Sequence, residues 1–433
     1  MILIYTPILT RRIEYIFKHI FNRLLLKDVK FTSTVEDFIS FNGPKISYCQ
    51  NQLSNEYFIK SNRILLEQGI SYIDIKIKEW NNLKCFFYDE KSSFPFDIFS
   101  ASFYLLSRYE EYLPQLKDDY GRFSCKESIA YKNGFLQEPI IDIWIQSFKL
   151  SLQNYFPKIS FISNNYSVKT IIDVPSAYRY KSKGFFRTIG GLFSDLIRLK
   201  LINIFIRFLV ILGFKKDPYD NFKWIINRQK ESKSKFLFFF LIGTFSTYDK
   251  NISLTNKSFK KIIKYVADYS KVGLKLSHFA LNNVEVLKNE KESLENLTNK
   301  NLQFSRNTLS KVNLPNTYRN LIKLNIKQDY TMGYYNMIGF RASTCSPFLF
   351  YDIDNEIQTP LTIYPFCFMD NSLLNMNSFL DKKEKIIEII NKVKAVNGVL
   401  TTIFHNHTFS EEKKWKKFKD LFNIVIESNE TYE

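Results

Sequence analysis

The chain has 433 residues, of which 45% are hydrophobic and 24% are charged, and its formal net charge is +18. This is the composition of an ordinary globular protein, with enough apolar material for two domains. The five cysteines are scattered and contain no C-x-x-C pair, which argues against a disulfide framework or a structural zinc site and predicts a reducing, cytoplasmic location.

The positive charge raises the question of an anionic partner such as nucleic acid, lipid or an acidic glycan. Lysines are spread along the chain, and the densest clusters lie within residues 382–385 and 413–419. There they alternate with acidic and apolar residues at helical spacing, which is typical of a solvated helix face. We therefore expect no nucleic-acid partner.

The first 21 residues place an apolar run before Arg11 and Arg12, which is the wrong order for a secretory signal. The nearest approach to a membrane segment is Leu201 to Phe214, which is short and interrupted by Arg207. We interpret it as a partly buried amphipathic helix. Because basic residues flank both ends, a weak contact with a membrane surface remains the alternative.

Residues 1–163 are predicted to form a smaller α+β domain. Between Pro95 and Pro114 the apolar residues recur at helical intervals, which predicts an amphipathic helix that stops at proline. His19 falls in the amino-terminal helical pattern and is interpreted as structural. This part of the chain shows no catalytic constellation.

Asn164 and Asn165 mark the predicted junction with a second domain, residues 166–433. Strand-like and helix-like segments alternate there, which predicts an α/β fold with parallel strands and crossover helices. The predicted strands are 166–174, 236–242, 273–276 and 398–404, and the predicted helices are 258–269, 283–298, 382–396 and 411–422.

Polar residues follow several of these strands, namely Asp173, Thr244, Ser277 and His405. The carboxyl ends of parallel strands lie on one face, so we expect these side chains to converge on one pocket. No G-x-G-x-x-G sequence, P-loop or G-x-S-x-G elbow is present, which disfavours nucleotide binding and the common serine hydrolase arrangement.

Several phrases, read in order, resemble the two-domain bacterial branch of the polysaccharide deacetylase (NodB-homology) superfamily. In the amino-terminal part these are PFDIF at 95–99, SRYEEYLP at 107–114 and KNGFL at 132–136. In the carboxy-terminal part they are IDV at 172–174, KGFFRTIGG at 183–191, YDKNIS at 248–253, DYTMGY at 329–334, GFRA at 339–342 and FHN at 404–406.

The resemblance implies a distorted (β/α) barrel preceded by an accessory domain, and removal of acetyl groups from N-acetylated sugars in bacterial surface polysaccharide metabolism. In that family a divalent metal such as zinc polarises the amide carbonyl and lowers the pKa of a bound water. An aspartate acts as general base and a histidine as general acid. The partner implied is a glycan or glycolipid.

Three positions depart from the family's metal site. Pro175 stands where the metal-binding aspartate is normal, and proline has no side-chain donor. Lys275 stands where a histidine is normal, and Thr308 replaces the second histidine. We therefore expect no metal cofactor and a lost or weakened hydrolase activity.

The residues that retain the family pattern are Asp173 as base, Arg341 as the residue that orients it, and His405 as acid. If a metal is bound, His278, His405 and His407 are the candidate ligands. Three hypotheses follow: an inactive homologue that binds a glycan, an active deacetylase with a rebuilt site that also uses Asp249, and a basic protein on the membrane surface. Metal content discriminates between the first two.

Overall fold

A computed structural model describes residues 1–232 and 234–429 as a mixed α/β fold. The strands are β1 Ile2–Tyr5, β2 Val29–Thr32, β3 Lys45–Cys49, β4 Tyr57–Lys60, β5 Lys78–Trp80, β6 Leu83–Cys85, β7 Ser167–Val174, β8 Phe236–Leu241, β9 Lys271–Leu276, β10 Phe304–Asn307, β11 Gln328–Asp329, β12 Phe348–Asp352, β13 Ile357–Ile363, β14 Phe368–Met369 and β15 Val399–His405.

The α-helices are α1 Arg11–Lys18, α2 Val35–Ser40, α3 Arg63–Leu66, α4 Ile98–Leu106, α5 Ile129–Lys132, α6 Ile140–Tyr155, α7 Phe185–Ile197, α8 Leu201–Ile211, α9 Phe222–Glu231, α10 Lys257–Tyr269, α11 Val284–Thr298, α12 Asn316–Lys323, α13 Asp370–Leu373, α14 Phe379–Ala395 and α15 Phe418–Glu427. A π-helical turn, His19–Leu24, continues α1. Short 3-10 turns lie at Tyr109–Glu111, Cys125–Glu127, Thr308–Ser310, Asn406–Phe409 and Lys413–Trp415.

The amino-terminal part contains a four-stranded sheet with the order β2-β1-β3-β4, in which every pairing is parallel. Helix α1 follows β1 and is capped by Thr10, whose hydroxyl accepts the Ile13 N–H at 3.1 Å. This differs from the predicted α+β arrangement, because strands and helices alternate here and only the β5–β6 hairpin is antiparallel. The strands of this sheet have four or five residues, too few for their periodicity to be read.

The carboxy-terminal part contains a nine-stranded sheet with the order β12-β13-β11-β10-β9-β8-β7-β15-β14. Every pairing is parallel except that of β12 with β13. The predicted α/β class with parallel strands is confirmed. The ladder ends at β12 and β14, and no pairing between these two strands closes it within the described residues, so the barrel stays a prediction.

Most predicted elements of this part agree with the structure to within three residues, and the clearest difference is at the carboxyl end. A helix was expected over residues 411–422, but a 3-10 turn ending at Trp415 precedes α15. Lys417 adopts the left-handed conformation with φ 65°, which interrupts the helix before Phe418.

The two predicted domains share a buried interface, and one buried hydrophobic cluster contains residues from both. The Glu111 carboxylate accepts hydrogen bonds from Arg341 Nε at 2.8 Å and Nη2 at 2.6 Å. Asp142, in the first turn of α6, accepts hydrogen bonds from the hydroxyls of Thr344 at 2.8 Å and Ser346 at 2.6 Å. The division at residues 163–166 stays a prediction, but separating the two parts would uncover these charges.

We expect Glu111→Gln to lower the free energy of unfolding by about 3 kcal/mol, because it leaves the buried guanidinium groups of Arg108 and Arg341 without their shared carboxylate. Urea denaturation of the full chain measures this change. The matched control is Glu384→Gln at an exposed site, which should change stability by no more than about 0.5 kcal/mol. Equal effects of the two variants would contradict a structural role for the interface pair.

Candidate ligand-binding site at the carboxyl ends of the strands

A buried charge cluster lies where β7, β9 and β10 end. Asp173 is the next-to-last residue of β7 and is fully buried. Its Oδ2 accepts hydrogen bonds from Lys275 Nζ at 2.6 Å and from Arg306 Nε at 2.9 Å. The three strands bring these side chains together because they are parallel and close in the sheet order. Two cations therefore share one carboxylate oxygen, whereas Asp173 Oδ1 has no hydrogen-bond partner among the residues described.

The pKa values of the cluster follow from burial and from these charges. Burial alone would raise the pKa of Asp173, but the positive charges of Lys275 and Arg306 outweigh burial and hold it well below its ordinary value. Burial lowers the pKa of Lys275, and Asp173 opposes that effect only in part. Asp173 is therefore a carboxylate at neutral pH and a weak base.

His405, the last residue of β15, lies beside this cluster and is oriented by Asp370. Its Nε2 is 3.6 Å from Asp173 Oδ2, and its Nδ1 is 2.7 Å from Asp370 Oδ1. The other Asp370 oxygen accepts the His405 backbone N–H at 2.6 Å and the Thr408 hydroxyl. Burial would raise the pKa of Asp370, but His405 lowers it below its ordinary value. An ionised Asp370 places the imidazole proton on Nδ1 and leaves Nε2 facing Asp173.

The other candidate histidines do not complete a metal site. The His407 ring stacks on His405 with centroids 4.9 Å apart, and burial lowers the pKa of His407 to about 3, so it stays neutral. His278 stacks on Tyr248 at 4.1 Å, and its backbone N–H donates to Asp249 at 2.6 Å. Within residues 1–232 and 234–429, no three His, Cys, Asp or Glu side chains form a group that could hold a metal ion.

The residues at the family's metal positions do not fit a divalent cation. Pro175 offers no donor atom, and the Thr308 hydroxyl donates to Asp249 at 3.3 Å. The ammonium of Lys275 occupies the space beside Asp173 and would repel a cation there, as would the nearby guanidinium of Arg306.

The structure corrects the expected position of Arg341. Instead of orienting Asp173, its guanidinium binds Glu111 from the amino-terminal part of the chain, and Arg306 takes the position beside Asp173. Arg341 lines a separate cavity of about 140 Å³. The carboxylate that binds Arg341 comes from the other half of the chain, and no local sequence pattern indicates this contact.

Two residues of the cluster were missed in the sequence. Arg306 lies two residues before Thr308, the position where the family resemblance implies a histidine. Asp370 follows the two-residue strand β14, which is parallel to β15. The signal for Asp370 was an acidic residue directly after the apolar run CFM, but a strand of two residues is too short to be recognised.

The cluster forms part of the floor of an open cavity of about 500 Å³. Its lining includes five basic side chains, four large aromatic side chains and two histidines: Arg179, Lys183, Lys250, Lys275, Lys414, Tyr219, Tyr248, Tyr335, Trp415, His405 and His407. No Asp or Glu is among its lining residues in the described chain. A cavity with positive charge and aromatic walls suits an anionic ligand that carries rings.

Comparison with known proteins gives a partial and distant picture. A model for a family of unknown function (DUF7033) matches residues 2–157. No curated protein matches the chain.

Similar solved structures are a proposed polysaccharide deacetylase from Mycobacterium smegmatis, BA3943 from Bacillus anthracis and a 4-alpha-glucanotransferase from Thermococcus litoralis. The first is 12% identical over 62% of this chain and 86% of its own, with a TM-score of 0.39. BA3943, described as a CE4 family pseudoenzyme, is 9% identical over 61% of this chain and 62% of its own, with a TM-score of 0.31. The glucanotransferase is 12% identical over 61% of this chain and 37% of its own, with a TM-score of 0.35. Similarity at this distance transfers no function.

We expect Asp173→Asn to lower the free energy of unfolding by about 3 to 5 kcal/mol, because it leaves two buried cations without a counter-charge. Urea denaturation at neutral pH measures the loss. The double variant Asp173→Asn, Lys275→Met should lose less than the sum of the two single variants, because it removes one stranded cation. The exposed control Asp119→Asn should change stability little, and strict additivity in the cycle would contradict the shared-charge arrangement.

The lowered pKa of Asp173 also predicts that the free energy of unfolding depends on pH. Because the folded pKa of Asp173 lies below its unfolded value of about 3.9, its stabilisation is fully present above that pH. It is lost as the pH falls toward the folded pKa. The stability difference between the unmodified chain and Asp173→Asn should therefore be constant from pH 5 to 7 (about the range of maximal stability) and shrink below about pH 4.

Proposed function

We propose that this protein is a polysaccharide deacetylase-like glycan-binding protein of bacterial surface polysaccharide metabolism, which binds an acidic N-acetylated glycan without metal-dependent hydrolysis. The observation that carries the proposal is the Lys275 ammonium, which contacts Asp173 Oδ2 at 2.6 Å where the family resemblance implies a metal centre. No metal cofactor is part of the proposal.

The charge cluster is unsuited to activating water. Asp173 Oδ2 cannot accept a proton from water without breaking a buried ion pair, and Oδ1 is enclosed in the protein. Its lowered pKa makes proton abstraction unfavourable as well. Water that is not bound to a metal has a pKa of about 15.7, so a weak carboxylate base alone gives little hydrolysis.

The cavity suits recognition of an acidic sugar. Lys183, Lys250 and Lys414 supply positive charge around its opening, and Tyr219 and Trp415 supply aromatic surface. A sugar carboxylate or phosphate bound near these cations is stabilised without displacing the Asp173 ion pairs. The His405 ring, held by Asp370, adds a donor or acceptor at the cavity floor.

The decisive experiment measures bound metal and acetate release for the purified full chain. We expect the protein to bind less than one zinc ion per chain. We also expect no chelator-sensitive release of acetate from N-acetylated oligosaccharides. Stoichiometric zinc with turnover that a chelator abolishes would overturn the proposal and favour the rebuilt site containing His278 or His407.

We expect the cavity to prefer an acidic N-acetylated oligosaccharide over a neutral one. Isothermal titration compares an oligomer of N-acetylneuraminic acid with N-acetylchitohexaose, and the acidic ligand should bind at least about tenfold more tightly at low salt. Lys250→Gln, at the cavity, should weaken the acidic ligand about fivefold, whereas Lys260→Gln on α10 is the control. Equal affinity for both sugars would contradict electrostatic recognition.

Lys183 gives this binding a pH dependence. Burial, followed by the charge of Arg187, lowers the pKa of Lys183 to about 8, and its Nζ donates to Ser176 Oγ at 2.9 Å. Because only the protonated amine attracts an anion, affinity should fall about fivefold as the pH rises through about 8. Lys183→Arg keeps its charge at high pH and should remove most of this fall. A fall of the same size in Lys183→Arg would assign the titration to another group.

A further inference from the structure

Helices α7 and α8 form a helical pair (residues 185–214) with an unusual outer surface. The large apolar side chains exposed on this pair are Phe185, Phe186, Phe193, Leu196, Ile197, Leu199, Leu201, Ile202, Phe205, Phe208, Ile211, Leu212 and Phe214. Several are almost entirely exposed, including Phe186 at 87% and Leu199 at 82%. Apolar surface on this scale marks a site of contact with another apolar phase.

The inner side of the helical pair holds a buried ion pair beside the apolar side chain of Val210. Arg207, in the middle of α8, is only 7% exposed and pairs with Asp195 of α7. Its guanidinium also lies over the Tyr180 ring at 4.8 Å. A Cβ at Gly191 would lie 2.5 Å from Arg207 Nη1, so glycine leaves the space that this arginine fills. The one charged residue that interrupts the apolar segment therefore faces inward.

This arrangement corrects the sequence interpretation of Leu201 to Phe214 as a partly buried amphipathic helix. That interpretation placed the apolar side chains against the protein and the charge in solvent. In the structure Phe205 is 65% exposed and Phe208 50% exposed, whereas Arg207 is buried between them. Helix α8 therefore buries Arg207 together with Val210 and exposes most of its large apolar side chains.

The exposed charges within residues 181–217 are all positive, whereas Glu411 and Glu412 from the carboxyl end of the chain line a groove beside the helical pair. Arg198 and Lys200 lie between the helices, and Lys215 and Lys216 follow α8. The acidic residues of residues 181–217 are both engaged, Asp195 by Arg207 and Asp217 by the backbone N–H groups at 179–181. A basic rim around an apolar face is complementary to anionic lipid headgroups above acyl chains.

We propose that the helical pair docks on the surface of a membrane that contains anionic lipids, with its apolar side chains in the headgroup and acyl boundary. Helix α7 has 13 residues and α8 has 11, which suits lying in the interface. None of the described helices is long and apolar enough to cross a bilayer. A second copy of the chain is a poorer occupant, because its basic rim would face Arg198, Lys200, Lys215 and Lys216 with the same charge.

The docking surface continues into the cavity described above. Arg179 and Lys183, which line the cavity, lie six and two residues before the start of α7 at Phe185. Arg187 of α7 also lies over the exposed Phe245 ring at 4.0 Å, which extends the apolar surface toward the strand ends. Docking through the helical pair would thus hold the cavity near the headgroups. The inference stands on the helical pair alone and does not depend on the proposed function.

The test is co-sedimentation of the full chain with vesicles of phosphatidylcholine and phosphatidylglycerol in equal parts, compared with phosphatidylcholine alone. We expect partitioning onto the anionic vesicles to be at least about tenfold stronger, since each basic residue near the surface contributes about 1 kcal/mol. Phe205→Gln, Phe208→Gln should lower partitioning onto anionic vesicles at least about tenfold. Lys215→Gln, Lys216→Gln should also lower it about tenfold.

Matched controls change the same residue types elsewhere. Leu150→Gln, Leu380→Gln removes two apolar side chains that are 61% and 58% exposed on other helices. Lys260→Gln, Lys261→Gln removes an adjacent exposed pair of lysines on α10. Neither control should change partitioning more than about twofold, and thermal denaturation by circular dichroism checks that each variant is folded.

The outcomes separate the occupants of the surface. Membrane docking is supported if the double variant Phe205→Gln, Phe208→Gln loses vesicle binding while the control variants keep it. Absence of binding to anionic vesicles at low salt overturns it, as does binding that the apolar variant leaves unchanged. A dimer in sedimentation velocity that the apolar variant dissociates, without vesicle binding, would assign the surface to a second copy.

Discussion

The interaction on which the site depends is the sharing of one buried carboxylate oxygen by two cations. Lys275 and Arg306 both reach Asp173 Oδ2, and all three side chains are at most 6% exposed. Desolvation of three charges costs several kcal/mol per ion, and close pairing offsets that cost only while every member is present. The cluster therefore ties the ends of β7, β9 and β10 together, and it places the Lys275 ammonium at the cavity floor.

That arrangement also decides the chemistry. A hydrolytic site needs a carboxylate that can accept a proton and an electrophile that can stabilise an oxyanion. The ion pairs lower the pKa of Asp173 and so make it a weak base. His405 and Asp370, in contrast, retain the orienting contact that is typical of a catalytic acid or base. The site thus keeps one half of an acid–base arrangement and has converted the other half into a structural charge cluster.

The sequence predicted what depends on local pattern and failed where distant segments decide the outcome. Strand periodicity and parallel alternation predicted that Asp173 and His405 converge, and they lie 3.6 Å apart. Lys275 was recognised as incompatible with a cation, but its pairing with Asp173 depends on sheet order, which periodicity does not give. Arg341 was misplaced because its partner, Glu111, lies 230 positions away in the chain.

The sequence interpretation of residues 201–214 was also wrong about which side chains are exposed, for a different physical reason. Hydrophobic periodicity identifies an amphipathic helix but not which of its faces meets the protein. Here Val210 and the Arg207–Asp195 ion pair both face inward, whereas most large apolar side chains of α8 are exposed.

The charge cluster and the helical pair are held by unrelated interactions, yet they act on one region of the molecule. The basic side chains that line the cavity favour anions, whereas the exposed apolar side chains of the helical pair favour contact with acyl chains. Lys183 belongs to both regions, since it lines the cavity and directly precedes Gly184 at the start of α7. A glycan carried on a lipid presents an anionic headgroup beside an acyl phase. Such a ligand would engage both the basic cavity and the apolar face, whereas a free sugar or a bare lipid surface offers a partner for only one of them.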